Sequence, residues 1–448
     1  YGAWQGSAFD AKALTQLFRN EPDNLPADAR HDLETGHWLF GRGTMDMKCG
    51  LALQMAMIEE AANGAFDGNL LLLAVCDEEV NSVGMRAAVP IVLELAEQHG
   101  LDYQVVLNSE PMFTRYPGDT SKYIYTGTIG KVNVAFLCYG KETHVGEPFS
   151  GLNANFMVSC LNTELELNPD LCELVEGEVT PPPTNLIQKD LKKEYSVQIP
   201  HRAATVFNVF MLEKPMDALI RDLRQAAERA AEKIRHGFAT RIAEHARLEP
   251  SANGKVDVKV ISFDELREYA LRTYGAAEVE RIESAVLTAR AGQDERETSI
   301  ALVDELAILC KELAPMIVLF FAPPYYPPVN SRQHPMIQRV VTDVIRYGQE
   351  RHGVRYEKQN FFSGICDLSY VGLQYPVASL QPFTANMPLW EKGYSLPLRE
   401  LEAFDVPVLN IGPVGKDAHK WTERLDIDFA FHTLRDILPH AIHEILRK

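Results

Sequence analysis

The chain has 448 residues, of which 46 % are hydrophobic and 24 % are charged, and it is too long for one ordinary hydrophobic core. Its 62 acidic and 44 basic residues leave a formal net charge of −18, which argues against a nucleic-acid ligand because phosphate binding needs concentrated Lys and Arg. No stretch approaches the ~20 apolar residues of a membrane-spanning helix, so we expect no membrane partner. The seven cysteines show no CxxC spacing, from which we expect reduced thiols and a cytoplasmic location.

The first 125 residues predict helices that alternate with strands. A short helix near Ala11–Phe18 lies in a polar, turn-rich segment, and a largely buried helix follows Asp46. A strand at 70–75, a helix over 84–98 and a strand at 103–107 come next. This alternation predicts a doubly wound α/β core, in which sites form at the carboxyl ends of strands.

A different pattern begins after residue 125 and predicts an inserted unit. Strands at 132–139 and 204–212 and helices at 153–163 and 215–236 indicate a small α+β fold. Residues 237–313 predict a further, mostly helical insertion with a candidate strand at 255–261.

The last third of the chain returns to the main domain. A strand at 317–321 meets the proline-rich connector 322–328, and a helix over 335–350 and strands near 376–380 and 406–411 complete the core. We therefore expect a main domain formed by 1–125 and 314–448, with an inserted domain at 126–313 that includes the extra insertion 237–313.

Acidic side chains follow several of these elements in an order that suits a metal site. Asp46 ends the segment Gly-Arg-Gly-Thr-Met-Asp, and one carboxylate can bridge two divalent cations held about 3.5–4 Å apart. The alternative is an Asp that caps the helix starting at Met47, and both roles can coexist.

Glu78 and Glu79 follow the predicted strand 70–75. Adjacent residues that leave a strand point in different directions, so one can bind metal while the other serves as a general base for an attacking water. The alternative is a solvated acidic turn.

Glu110 and His419 supply two more candidate ligands. Glu110 precedes Pro111, which fixes the direction of the loop, and His419 follows a Gly/Pro turn at 412–415, where an imidazole can bind a metal. Taken alone, each has an ordinary alternative, a strand-end carboxylate and a surface histidine. We expect Asp46, Glu79, Glu110 and His419 to converge around a pair of cations.

Three further side chains are candidates for contact with a substrate. His144 lies in the predicted insertion and would reach a core site only if its own domain, or that of a partner subunit, closes over it; there it would stabilise an oxyanion. A solvent-facing loop histidine is the alternative. Arg202 and Arg332 are candidates for holding a substrate carboxylate, with a structural or surface arginine as the alternative for each.

Several segments together resemble the signature motifs of a metallopeptidase family. That family contains aminoacylase, acetylornithine deacetylase, succinyl-diaminopimelate desuccinylase and carboxypeptidase G. The segments are GRGTMDMK (41–48), DEEVNSVGMR (77–86), SEP (109–111) and GPVGKDAH (412–419). Segments 140–148, 151–155, 320–327 and 416–424 also resemble a bacterial arginine-utilisation branch of the same family.

The resemblance implies an α/β fold, a doubly wound mixed-sheet zinc-peptidase catalytic domain with an inserted α+β lid of the dimerisation type. It implies two Zn²⁺ ions, with Co²⁺ or Mn²⁺ as alternatives. Asp46 would bridge the two metals, Glu79 and His419 would bind one of them, and Glu110 would bind the other.

The same resemblance assigns the remaining roles. Glu78 would be the general base, and His144 would be the lid residue that touches the substrate, commonly from the partner subunit of a homodimer. The family's remaining zinc ligand is a His in a His-x-Asp motif upstream of the bridging Asp, and no such motif precedes Asp46. We expect it to lie before Tyr1, which would leave one metal site incomplete in this chain.

The resulting hypothesis is a zinc-dependent amidohydrolase that cleaves an amide bond in a small N-acyl amino acid or short peptide. Arginine catabolism is suggested by the resemblance alone. The alternatives are a catalytically impaired binding or scaffolding protein on the same fold, and an aminopeptidase that requires a free N-terminus.

Overall fold

A computed structural model of the protein describes residues 2–116, 118–249 and 254–447. By packing, the chain forms two units: the first comprises 1–129, 329–372 and 403–448, and the second comprises 130–328 and 373–402. The domain division expected from the sequence stays a prediction.

The elements of the described residues are as follows. The α-helices are α1 (Ala11–Asn20), α2 (Ala27–Thr35), α3 (Cys49–Ala62), α4 (Val83–His99), α5 (Ala154–Leu165), α6 (Met216–His245), α7 (Phe263–Tyr274), α8 (Ala276–Ala289), α9 (Glu295–Leu309), α10 (Pro335–His352), α11 (Gln381–Ala385), α12 (Leu398–Ala403) and α13 (Arg435–Leu446). The strands are β1 (Trp38–Phe40), β2 (Val106–Asn108), β3 (Lys122–Tyr125), β4 (Gly127–Thr128), β5 (Gly130–Tyr139), β6 (Leu174–Val175), β7 (Glu178–Val179), β8 (Thr184–Asp190), β9 (Arg202–Met211), β10 (Lys259–Ser262), β11 (Met316–Tyr326), β12 (Val329–Asn330), β13 (Tyr356–Gln359), β14 (Val408–Asn410), β15 (Gly415–Lys416) and β16 (Arg424–Asp426). None of these helices combines the length and the apolar composition that crossing a bilayer would require.

Two sheets of the first unit place the segments that carry candidate ligands. A mixed four-stranded sheet has the order β13-β3-β14-β2, in which β14 and β2 run parallel and therefore end at the same edge. A three-stranded antiparallel sheet has the order β1-β16-β15. These two sheets confirm the α/β, mixed-sheet character expected for this part of the chain.

The second unit is built on a five-stranded sheet in the order β10-β11-β5-β9-β8. All pairs are antiparallel except β10 and β11. Alternate residues of β5, among them Leu137, pack in one apolar cluster with α7, α8 and α9. Helices α5 and α9 both contact β5, which explains why nearly the whole strand is buried.

Most of the predicted helices are confirmed, with shifted ends. The helix over 84–98 is α4, which ends at Gly100 in the left-handed conformation with φ 63°. The helix 215–236 continues as α6 to His245, so the predicted insertion begins inside a helix. The rest of that insertion contains α7, α8, α9 and the short strand β10.

Three predicted features are wrong. Residues 70–75 form no strand, and Leu71 and Leu73 are exposed at 55 % and 41 %. An apolar segment forms a strand only beside a neighbouring strand that shares its backbone hydrogen bonds. None of the described strands pairs with residues 70–75. Residues 377–380 form a 3₁₀ turn after Pro376 instead of a strand. The expected connector 322–328 largely continues β11, whose two prolines sit at an irregularity between Ala322 and Tyr325 where the ladder needs no N–H donor.

Candidate metal centre

The three-stranded sheet brings Asp46 and His419 together. The last residue of β1, Phe40, lies opposite Arg424, the first residue of β16. Because the two strands are antiparallel, the segment that leaves β1 meets the loop that enters β16, and these segments carry Asp46 and His419. The Nε2 atom of His419 lies 2.7 Å from Asp46 Oδ2.

Glu79 completes a three-residue cluster. Its Oε1 atom lies 3.1 Å from His419 Nε2. One ligand atom from each of Asp46, Glu79 and His419 lies within 4.8 Å of the other two. The Asp46 side chain is 15 % exposed, whereas those of Glu79 and His419 are about half exposed, so solvent reaches the cluster mainly at Glu79 and His419.

A tight turn before α4 presents Glu78 and Glu79. Asp77 has φ 72°, and its carbonyl oxygen accepts hydrogen bonds from the N–H groups of Asn81 and Ser82 at 3.1 and 2.7 Å. The Asp77 carboxylate also accepts from the N–H of Val83, the first residue of α4, at 3.3 Å. Asp77 therefore forms the turn, and the two residues that follow it, Glu78 and Glu79, lie in this turn and not at the end of a strand.

The four-stranded sheet places Glu110. The side-chain amide of Asn410, at the end of β14, accepts from the Glu110 N–H at 2.8 Å and donates to the Glu110 carbonyl at 3.0 Å. A Cβ atom at Gly412 would lie 1.8 Å from that carbonyl oxygen, so only glycine permits this approach. Glu110 is buried, at 6 % exposure.

The carboxylates around Glu110 repel one another. Burial raises the pKa of Glu110 well above its ordinary value, and the negative charges of Asp46, Glu78 and Asp367 raise it further. Glu110 and Glu78 are thus parts of the same electrostatic cluster as Asp46.

The positions of the sequence-predicted residues follow from these contacts. The structure brings the ligand atoms of Asp46, Glu79 and His419 within 4.8 Å of one another, and Glu78 and Glu110 are linked to Asp46 through their charges. The roles given to all five residues stay predictions. The capping alternative for Asp46 is wrong, because α3 begins at Cys49 without a side-chain cap.

The other three candidates lie elsewhere or have other partners. His144 is exposed in the second unit, where its Nδ1 atom accepts from the Gly146 N–H at 3.0 Å. Arg202, also in the second unit, is paired with Asp304 at 2.5 Å. Arg332 lies over the ring of Phe361 at 6.0 Å.

Glu423 is a site residue that the sequence reasoning missed. Its side chain is fully buried, and Oε1 accepts from the N–H groups of Met45 and Asp46 at 3.2 and 3.3 Å. Its Oε2 atom accepts from Arg42 Nη1 at 3.0 Å, and Arg42 Nη2 lies 3.7 Å from Glu79 Oε1. The only sequence signal was its place in the segment 416–424 used for the family resemblance.

Arg424 was missed as well. This fully buried guanidinium donates to Asp32 at 2.7 Å, to Asp417 at 2.6 Å and to Asp28 at 2.8 Å. It thereby ties α2 to the loop that carries His419. That loop needs support because His419 has φ 64°, a conformation that costs a non-glycine residue about 1–3 kcal/mol.

The donor set fits a divalent metal ion. Two carboxylates and one imidazole offer oxygen and nitrogen ligands, the donors preferred by zinc and other first-row divalent ions. Their mutual spacing within 4.8 Å lets one cation reach all three. A cation here would also offset the repulsion between Asp46 and the buried Glu110.

The chain is similar to several known proteins. The model of Peptidase family M20/M25/M40 matches residues 17–386. YqjN of Bacillus subtilis is 48 % identical over the whole chain and 82 % of its own length, and RocB of Bacillus subtilis is 31 % identical over the whole chain and 80 % of its own length. Succinyl-diaminopimelate desuccinylase of Ehrlichia canis is 27 % identical over 38 % of this chain and 47 % of its own length.

Among solved structures, the M20 family metallo-carboxypeptidase Sso-CP2 of Sulfolobus solfataricus is 12 % identical, with a TM-score of 0.47 over 91 % of this chain and 78 % of that one. The chain belongs to peptidase family M20/M25/M40 and is a metal-dependent hydrolase.

Proposed function

We propose that the chain hydrolyses the amide bond of a small N-acyl amino acid or short peptide at the cluster of Asp46, Glu79, Glu110 and His419. The observation that carries this proposal is the spacing of three ligand atoms, from Asp46, Glu79 and His419, within 4.8 Å of one another. Family membership supports the reaction class, and the cluster supports the proposed location of the reaction.

The metals proposed are two divalent ions, zinc first and cobalt or manganese as alternatives. Asp46 would bridge them, Glu79 and His419 would hold one, and Glu110 would hold the other. When bound, such a metal pair supplies Lewis acidity and lowers the pKa of a water molecule. The half-exposed side of the cluster leaves a substrate carbonyl access to it.

Glu78 is the proposed general base. It is half-buried, it neighbours Glu79 in the turn before α4, and its charge acts on the buried Glu110. Glu78 would take a proton from the water that attacks the carbonyl carbon. The carbon–nitrogen bond then breaks, and Glu78 would return the proton to the leaving amine.

His144 is the proposed oxyanion donor. Because Nδ1 accepts a hydrogen bond from Gly146, the neutral ring carries its proton on Nε2, where it can be donated to a substrate oxygen. The family resemblance favours donation to the site of a partner subunit in a homodimer.

The proposed location is cytoplasmic, which agrees with the seven free cysteines. The proposed metabolic setting is arginine catabolism.

A hydrolysis screen tests the proposal. Purified protein is supplied with zinc, manganese or cobalt and offered N-acyl amino acids and dipeptides, including derivatives of arginine. We expect metal-dependent release of the free amine from at least one of these substrates. A preference for dipeptides with a free N-terminus would favour the aminopeptidase alternative, and no hydrolysis of any substrate would contradict the proposal.

A matched pair of variants tests the base. E78Q should lower kcat by about 100- to 10,000-fold while bound metal is unchanged, because a general base acts on the proton and not on metal affinity. E94Q, which changes an exposed glutamate on α4, is the control and should keep full activity. Unchanged turnover in E78Q would rule out the assigned base.

A further inference from the structure

Large apolar side chains are exposed in one short stretch of the first unit. Of the twenty such side chains in the described residues, eight lie between residues 51 and 91. They belong to α3, to the segment 70–75, and to the turn and helix α4 that follow it: Leu51, Met55, Leu71, Leu73, Val75, Val80, Val83 and Ile91. Apolar side chains concentrated in this way are typical of a region that binds another polypeptide segment.

Two stretches of backbone in this region have an edge without a strand beside it. Strand β2 ends its sheet, and the backbones of Val106 and Asn108 face the side of β14. Leu107 therefore faces the other edge, where its carbonyl oxygen accepts from the side chain of Gln54 at 3.5 Å. None of the described residues forms a backbone hydrogen bond with residues 70–75. Open edges of this kind are where a further strand can be added to a sheet.

Helix α4 connects these two stretches and packs on both. A Cβ atom at Gly84 would lie 2.5 Å from the backbone nitrogen of Cys76, directly after the segment 70–75. The hydroxyl of Tyr103, before β2, donates to the carbonyl of Val92 at 3.0 Å. This is the arrangement of a strand–helix–strand crossover, in which both strands run in the same direction.

Helix α3 presents apolar side chains beside the open edge of β2. Gln54 reaches that edge, and its Nε2 atom also donates to Ser109 Oγ at 2.7 Å. Leu51 precedes Gln54 by three residues and Met55 follows Leu51 by four, so these side chains lie on neighbouring positions of one helix face. A strand added at the edge of β2 would cover them.

Both stretches lead to the candidate metal centre. Residues 70–75 precede Glu79, whose carboxylate lies in one cluster with Asp46. Strand β2 precedes Glu110, on which the charge of Asp46 acts. A strand that runs between the two stretches in their common direction therefore ends beside Asp46.

The first described residues lie at the same place. The ring of Trp4 stacks on that of Trp421, two residues after His419, with centroids 5.1 Å apart. The ring of Phe9 lies 4.4 Å from Nζ of Lys48, two residues after Asp46. A strand ending at the metal centre can therefore continue directly into the start of the described chain. The relatives YqjN and RocB, which match the whole chain, each extend beyond the match by about a fifth of their own length.

We propose that the natural protein has a segment before residue 1 that binds here as a strand between residues 70–75 and β2. Its backbone pairs with Leu107 on one side and with residues 70–75 on the other. Its apolar side chains contact those exposed on α3 and α4, among them Met55 and Ile91. The proposal depends on backbone pairing and apolar packing and is independent of the proposed reaction.

Photo-cross-linking of the protein expressed from its natural start codon tests the proposal. A benzophenone amino acid replaces Leu71 in one sample and Leu186 of β8 in the control, because the two leucines are similarly exposed, at 55 % and 53 %. We expect position 71 to cross-link within its own chain to a peptide that precedes residue 1, identified by mass spectrometry, and position 186 to form no such cross-link. A natural reading frame without residues before Tyr1 would overturn the proposal. Cross-links from position 71 only to a segment after residue 448, to a second copy or to another protein would overturn it as well.

Hydrogen exchange of the same protein gives an independent test that needs no substitution. We expect the amides of residues 70–75 to exchange at least about 100-fold more slowly than in an unstructured peptide, because the added strand pairs with them. L71D should remove at least tenfold of this protection and lower the midpoint of urea denaturation, whereas L186D should change neither. Unprotected amides at 70–75 in the wild type, or equal effects of L71D and L186D, would contradict the added strand.

Discussion

Replacing Glu423 by Gln should weaken metal binding without touching a proposed ligand. The carboxylate has no exposed surface and accepts hydrogen bonds from the Asp46 N–H at 3.3 Å and from Arg42 at 3.0 Å. The side-chain oxygen of a glutamine can still accept from the backbone N–H of Asp46. Its NH₂ group would then face the Arg42 guanidinium, and two donors cannot form a hydrogen bond with each other. Arg42 would lose its anchor beside Glu79, and the segment that carries Asp46 would lose a charged acceptor.

The magnitude follows from these contacts. Changing a residue that holds a metal ligand in place, without binding the metal itself, lowers metal affinity by about 10- to 100-fold. Leaving a buried ion pair broken costs about 3–5 kcal/mol of unfolding free energy, at the lower end here because the Arg42 side chain is 26 % exposed. Metal affinity is measured by competition with a chelating dye, and unfolding free energy by urea denaturation.

E283Q is the matched control for general loss of stability. Glu283 is 7 % exposed and pairs with Arg267 at 2.8 Å and Lys392 at 2.6 Å, all in the second unit. We expect E283Q to lose stability and to keep its metal affinity. Wild-type affinity in E423Q, or an equal loss of affinity in E283Q, would refute the positioning role of Glu423.

Three further predictions concern stability, pH and subunit arrangement. G412A should destabilise the protein by about 1–3 kcal/mol because its Cβ would lie 1.8 Å from the Glu110 carbonyl oxygen. G6A, where nothing lies within 4 Å of the added Cβ, should change the unfolding free energy little. Equal unfolding free energies for the two variants would contradict the close approach at Gly412. Burial acts to raise the pKa of Glu283, but hydrogen bonds from Arg267 and Lys392 outweigh it and lower that pKa. The difference in unfolding free energy between wild type and E283Q should therefore have its full value above the unfolded pKa of about 4.3 and shrink as the pH falls through the folded pKa. Urea denaturation from pH 7 to acid measures this difference, and a difference that does not change with pH would contradict the prediction. E78Q and H144A should each be nearly inactive alone, and a mixture of the two should regain activity if His144 serves the partner's site; no recovery in a verified mixed dimer would place His144 in its own subunit's reaction.

The candidate ligands could be predicted because their chemistry is visible in single residues. Asp46, Glu79, Glu110 and His419 are metal-binding residue types that follow loops in family order, and the family resemblance combined four weak signals into one predicted site. The α/β alternation also predicted a strand shortly before Glu110, and β2 ends there at Asn108. Helix α4 illustrates this, since its apolar spacing and its terminal Gly100 fixed both its type and its end.

The supporting residues could not be predicted because their partners are backbone atoms or distant charges. Asn410 binds the backbone of Glu110, 300 residues away, and Glu423 binds that of Asp46, 377 residues away. No side-chain periodicity signals such contacts. Arg424 would be expected at the surface, yet three aspartates from α2 and the His419 loop allow it to be buried.

Strand predictions failed where pairing, not apolar character, decides the structure. The run 70–75 has the composition of a buried strand, but Leu71 and Leu73 are exposed. The Pro-Pro segment after Ala322 was expected to break β11, but an irregularity accommodates it and the strand continues to Tyr326. Both outcomes depend on neighbours that the local sequence does not reveal.

Anomalous diffraction at the zinc absorption edge, from crystals of the protein grown with zinc, tests the central claim most directly. We predict an anomalous peak within bonding distance of the Asp46 and Glu79 carboxylates and of His419 Nε2. Zinc bound only at other places, with no peak at these three side chains, would contradict a metal-dependent site here.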